Sequence, residues 1–142
     1  MNMRFLASVA AVFVADTLLN FLVHGVMLGH FYSALVPKGV FRTPEDSQNY
    51  FLFMPLQSLL FAIGFTWIYR QGRDARPWLG QGLRFGLAVA VMAIIPTYLV
   101  YYVVTPLPGD LVFQQCAYGL VQMLVVGVIA AAINRDRPAA GA

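Results

Sequence analysis

Residues 5–28 read FLASVAAVFVADTLLNFLVHGVML. A helix needs about 20 apolar residues to cross the hydrocarbon core of a bilayer, and this run supplies them. Near its centre stands Asp16, followed at helical spacing by Asn20 and His24. Residues four and eight apart lie on the same side of a helix. A carboxylate at mid-membrane costs about 3 kcal/mol on insertion scales. Asp16 therefore needs a local partner or a task.

Three more apolar runs follow, and Asp16 is the one Asp, Glu, Lys or Arg in the interior of any of the four. The spans are expected at residues 5–28, 51–69, 83–104 and 111–133. That predicts an all-α polytopic membrane protein, a bundle of four transmembrane helices forming a single domain over residues 1–142. Composition agrees. The chain is 60% hydrophobic and 11% charged, with a mean hydropathy of +0.71. Soluble domains are roughly a quarter charged, and a soluble chain of 142 residues could not hide this much apolar surface.

Composition also sets limits on function. The net charge of +3 does not point to nucleic acid, because the basic residues gather at span ends instead of forming a run. The single cysteine, Cys116, can make neither an internal disulfide nor a multi-cysteine zinc site. Arg4 followed by apolar residues looks like the start of a signal peptide. Cleavage after Ala15 would put Phe13 where a small residue is needed, so the first span is read as uncleaved.

The connections differ in character. Residues 29–50 form a long loop broken by Pro37, Gly39 and Pro44. Within it, Thr43-Pro44-Glu45-Asp46 has the form of a helix start, with a capping hydroxyl, proline in the first turn and acids beside it. The second helix is expected to begin there, with Pro55 inside it as a kink. Residues 70–82 form a basic connection. Thr105-Pro106-Leu107-Pro108-Gly109-Asp110 is a tight turn that makes spans three and four antiparallel neighbours. Arg4, Arg70, Arg73, Arg76, Arg84, Arg135 and Arg137 fall on one side, against Lys38 and Arg42 on the other. By the positive-inside rule both termini are cytoplasmic. An Ala-, Gly- and Arg-rich chain of this kind fits a bacterial inner membrane.

Small residues repeat every four positions, at Gly82, Gly86 and Ala90 and again at Gly127 and Ala131. Such stripes let helix backbones approach, either within one chain or between copies. Polar residues are few and grouped. Asp16, Asn20 and His24 come from span one, Gln57 from span two, Tyr101 from span three, and Gln115, Tyr118 and Gln122 from span four. With the N-terminus inside, they concentrate in the outer half of the membrane. Converging faces would make a polar pocket that opens outward and narrows to Asp16.

Asp16 has two readings. As an intramembrane ionisable group it is a proton- or cation-linked site. Alternatively it is bonded to Gln122 or Tyr118 and ties helices together. Asp16 and His24 are about 12 Å apart along the axis, too far to share one metal. Two histidines without a cysteine cluster make a poor metal site, and no metal or cofactor is expected. There is no GxSxG, HExxH, P-loop or dinucleotide fingerprint, so no motif assigns an enzyme activity and the balance leans away from one. Transport or small-solute binding around Asp16 is the first functional reading. A non-catalytic accessory or scaffold subunit is the second, and an intramembrane enzyme on a lipophilic substrate the third. The expected partners are the lipid bilayer and a second copy or partner membrane subunit. Length, four spans and one acid in the first resemble the small multidrug transporters. Their acid is a glutamate in a motif absent here, so the likeness implies no residue roles.

Overall fold

The computed structural model describes residues 3–74 and 77–135. Of these, 83% are helical and none is in a strand. Helix α1 (Met3–Asn20) runs into a π-helical segment (Phe21–Met27), and a break at Leu28 leads into the short α2 (Gly29–Leu35). A one-turn α3 (Pro44–Gln48) precedes α4 (Phe53–Gln71). Helix α5 (Trp78–Val89), a second π segment (Ala90–Ile94) and α6 (Ile95–Val104) form one continuous rod, and α7 (Gly109–Asn134) ends the described chain. Three helical units are long and apolar enough to cross a membrane: Met3–Met27, Trp78–Val104 and Gly109–Asn134. Helix α4 has 19 residues and is more polar than these, because it carries Gln57, Ser58 and Arg70.

The first loop departs from expectation. Thr43 does cap a helix, with the Asp46 amide donating to Thr43 Oγ1 at 3.3 Å. That helix stops at Gln48, and a series of tight turns carries the chain to Phe53, including Asn49 N to Asp46 O, Tyr50 N to Ser47 O and Phe51 N to Gln48 O. The physical reason lies in Pro55. Deep inside a helix it would remove a hydrogen bond and collide with the preceding turn. Restarting the helix at Phe53 puts Pro55 in the first turn, where its missing N–H has no partner to lose. Residues 29–35, expected as loop, form α2. The third rod also starts earlier than its apolar run, at Trp78 directly after Pro77. Arg76 and Arg137 lie outside the described residues.

Proline also accounts for the second π segment. Pro96 cannot donate to the Met92 carbonyl, and its ring crowds that turn. The widened turn at Ala90–Ile94 sits directly before it.

The bundle is assembled around α1 and α7. Helix α4 lies against α1, and α5 lies against α7. The core beneath these contacts contains Val12, Ala62, Phe65, Ala90, Met123, Val126, Ala130 and Ala131. A smaller cluster of Val23, Leu28, Leu35 and Leu111 closes the other end, where α2 folds over the start of α7. Many large apolar side chains point away from both clusters. Leu18 is 63% exposed, Val103 84% and Phe113 74%. Apolar surface on this scale is normal only where lipid covers it.

Glycines decide how close α5 and α7 come. A Cβ on Gly82 would sit 2.6 Å from the Gly127 carbonyl oxygen and 2.8 Å from the Ala131 Cβ. A Cβ on Gly86 would overlap the Met123 carbonyl oxygen, and one on Gly127 the Gly82 carbonyl oxygen. Ala90 is fully buried beside this seam. Both small-residue stripes therefore face each other inside one chain.

Candidate functional site

The α1–α7 seam carries three polar layers, spaced about two helical turns apart along α1. The layer nearest the N-terminus is small. Asn134 Nδ2 donates to Ser8 Oγ at 2.9 Å and to the Ala130 carbonyl at 2.8 Å. Ser8 Oγ lies 3.5 Å from Thr66 Oγ1. All three side chains are buried, and they join α1, α4 and α7.

Asp16 forms the middle layer and is 3% exposed. Gln122 Nε2 donates to its Oδ1 at 3.1 Å. The second oxygen, Oδ2, is buried without a hydrogen bond of acceptable geometry. Ser58, Asn20 and Gln57 surround the same carboxyl. Ser58 is itself buried and accepts from Gln57 Nε2 at 2.8 Å. The partner Asp16 has is a neutral amide and not a cation. Its neighbours are neutral amides and hydroxyls, so no opposite charge beside it offsets the desolvation of a carboxylate there.

The outer layer centres on His24, the fourth residue of the π segment. Both ring nitrogens are engaged. Nδ1 lies 2.6 Å from the Tyr32 hydroxyl and Nε2 lies 3.2 Å from the Tyr98 hydroxyl. Gln115 Nε2 donates to the same Tyr32 oxygen at 3.0 Å, while Gln115 Oε1 is buried without a partner. A neutral imidazole donates through one nitrogen and accepts through the other. Between two hydroxyls it can therefore pass a proton from one side to the other by changing tautomer. The break at Leu28 makes this arrangement possible. It turns α2 back so that Tyr32, eight residues on, meets His24 side chain to side chain. π segments recur at functional sites for a related reason, since the extra residue re-aims neighbouring side chains.

The expected site residues divide accordingly. Asp16, Asn20, Gln57 and Gln122 meet in the middle layer, and His24 and Gln115 in the outer one. Tyr118 packs on the outer apolar cluster, and Tyr101 is 54% exposed with its ring turned outward. One turn before it, Tyr98 occupies the position on His24. Sequence reasoning missed Tyr32, which lay in a presumed loop, and the Ser8–Thr66–Asn134 layer. Ser8 sits two turns before Asp16, which was a usable signal. Nothing local distinguishes Thr66 or Asn134. Among the described residues, no three His, Cys, Asp or Glu side chains come together in a cluster that could hold a metal ion.

A family model described as "Protein of unknown function (DUF1761)" matches residues 7–131, which takes in the middle and outer layers whole. No curated protein and no solved structure matches the chain.

Proposed function

We infer that this chain, which belongs to the DUF1761 family, binds a proton or small cation at Asp16 and moves it, or a coupled small polar solute, across the membrane. The observation that carries this reading is Asp16 Oδ2, buried and without a hydrogen-bond partner among neutral polar groups from three helices. An intramembrane acid of this kind is a functional candidate by default. His24 with its two tyrosine hydroxyls stands two turns outward, where a relay between the site and bulk water would be needed. Helix α4 is taken as the fourth span, short and polar because it contributes Ser58 and Gln57 to the site. Both termini and the Arg-rich end face the cytoplasm, which places the outer layer at the far side of a bacterial inner membrane.

A second reading has its own support. The Ser8–Thr66–Asn134 layer contains no titratable group and still ties three helices together. If Asp16 and Gln122 do the same, the chain is an accessory or scaffold subunit and its polar layers are structural. Liposome flux separates the two. Wild-type protein should carry ion flux driven by a pH gradient, and Asp16→Asn, still folded and still bonded to Gln122, should abolish it. Flux that is equal in both proteins would remove Asp16 from any transport role and leave the structural reading.

A further inference from the structure

At the Arg-rich end, away from Asp16 and His24, a depression of about 450 Å³ opens between the first turns of α1 and the last turn of α7. Its walls are Met3, Arg4, Ala7, Ala132, Ile133 and Arg135. Spacing explains its form. Ala7 lies one turn deeper than Arg4 on α1, and Ala132 one turn deeper than Arg135 on antiparallel α7. Residues three apart are neighbours on a helix face. Each helix thus presents a small residue at the floor and an arginine at the mouth. Arg135 leaves the helix with extended backbone, and its guanidinium lies 5.6 Å from the centre of the Trp78 ring. That is within cation–π range and fixes the charge at the boundary between water and apolar surface. Across α1, Arg70 lies 5.6 Å from the centre of the Phe5 ring and adds to the positive field. The flanks are apolar, with Met3 78% exposed.

We propose that this depression binds the headgroup of an anionic phospholipid, with Arg4 and Arg135 as ligands of the phosphodiester. The depression is roomy enough to hold several waters or a phosphate group in their place. The position suits a lipid, not a free anion. The mouth opens at the end of the apolar belt, so acyl chains can run along α1 and α7 while the phosphate stays between two guanidiniums. Basic hollows between transmembrane helices are the recurrent form of such sites.

The test uses the full-length protein in neutral detergent, titrated with phosphatidylglycerol, phosphatidylcholine or inorganic phosphate and read by native mass spectrometry. Wild type should retain one phosphatidylglycerol in preference to phosphatidylcholine. Each basic residue near the surface contributes about a factor of five, so Arg4→Gln or Arg135→Gln should weaken retention about fivefold and the pair about thirtyfold. Arg84→Gln, at the same end but outside the walls, should weaken retention less than either wall variant. Thermal melting of each variant separates lost binding from lost folding, and the single Arg135 change is the milder one. Equal retention of both lipids, or full retention by a folded double variant, would overturn the proposal. So would inorganic phosphate binding as tightly as the lipid, which would make the hollow a free-anion site.

Discussion

At the scale of single residues, Asp16 and His24 are held in different ways. Asp16 accepts from the Gln122 amide across the α1–α7 seam, with Ser58, Asn20 and Gln57 around the same carboxyl. Gln122→Leu removes the bond to Oδ1 that joins α7 to α1 and should destabilise the fold by about 1–3 kcal/mol. Unfolding in mixed micelles measures this, and a loss within error would mean that the pair does not hold the helices. His24 is caught between two hydroxyls, and Tyr32 also bridges to Gln115. Tyr32→Phe deletes two bonds with one atom. Hydrogen exchange over residues 29–35 should rise sharply, while the middle of α7 stays protected. Unchanged exchange in α2 would show that the apolar cluster of Leu28 and Leu35 holds it without the hydroxyl. These polar types were legible from sequence, because an intramembrane acid and histidine stand out against an apolar background. Their partners were not. Periodicity tells which side of a helix is polar but leaves its rotation against the neighbours open, so it admits Tyr101 and Tyr98 alike, and only the packing puts Tyr98 on His24.

At the scale of elements, the α5–α7 seam is the most constrained contact. No side chain fits at Gly86 without moving α7, since its Cβ would meet backbone and not a flexible tip. Gly86→Leu should separate the two helices and cost more than about 3 kcal/mol, at the upper end of overpacking effects. Gly64→Ala meets nothing within 4 Å and should be neutral or slightly stabilising, as expected for glycine replaced inside a helix. Equal effects of the two changes in a thermal-melting assay would contradict this packing. Small-residue spacing revealed the stripes, but a stripe looks the same whether it meets another helix of the same chain or a second copy. Only the packed structure distinguishes these. Proline chemistry accounts for two further features, the helix restart at Phe53 and the widened turn before Pro96. The first was misread because a good capping sequence at Thr43 predicts a start without saying how far the helix continues.

At the scale of the whole molecule, the number of crossings sets everything about orientation. Three units are apolar enough to span, and α4 sits beside α1 with a more polar composition. In a Cys116→Ser background, Lys38→Cys should react with a membrane-impermeant thiol reagent in intact cells. Arg73→Cys should react only after lysis. Labelling of both positions from the same side would remove α4 as a span and with it the outward placement of His24.

The sequence by itself determined the class of object: an all-helical chain whose long apolar runs need lipid, with one acid in the first of them. That much follows from composition and run length, which are additive properties of the residues and need no knowledge of neighbours. Tertiary structure alone decided that Asp16 meets Gln122, that α2 turns back to bring Tyr32 to His24, and that Ser8, Thr66 and Asn134 form a third layer. Each of these depends on helix rotation and on the break at Leu28. Rotation is set by how whole faces pack, with glycines on one side and bulky aromatics on the other, and that sum over many contacts cannot be read from any one stretch of the chain.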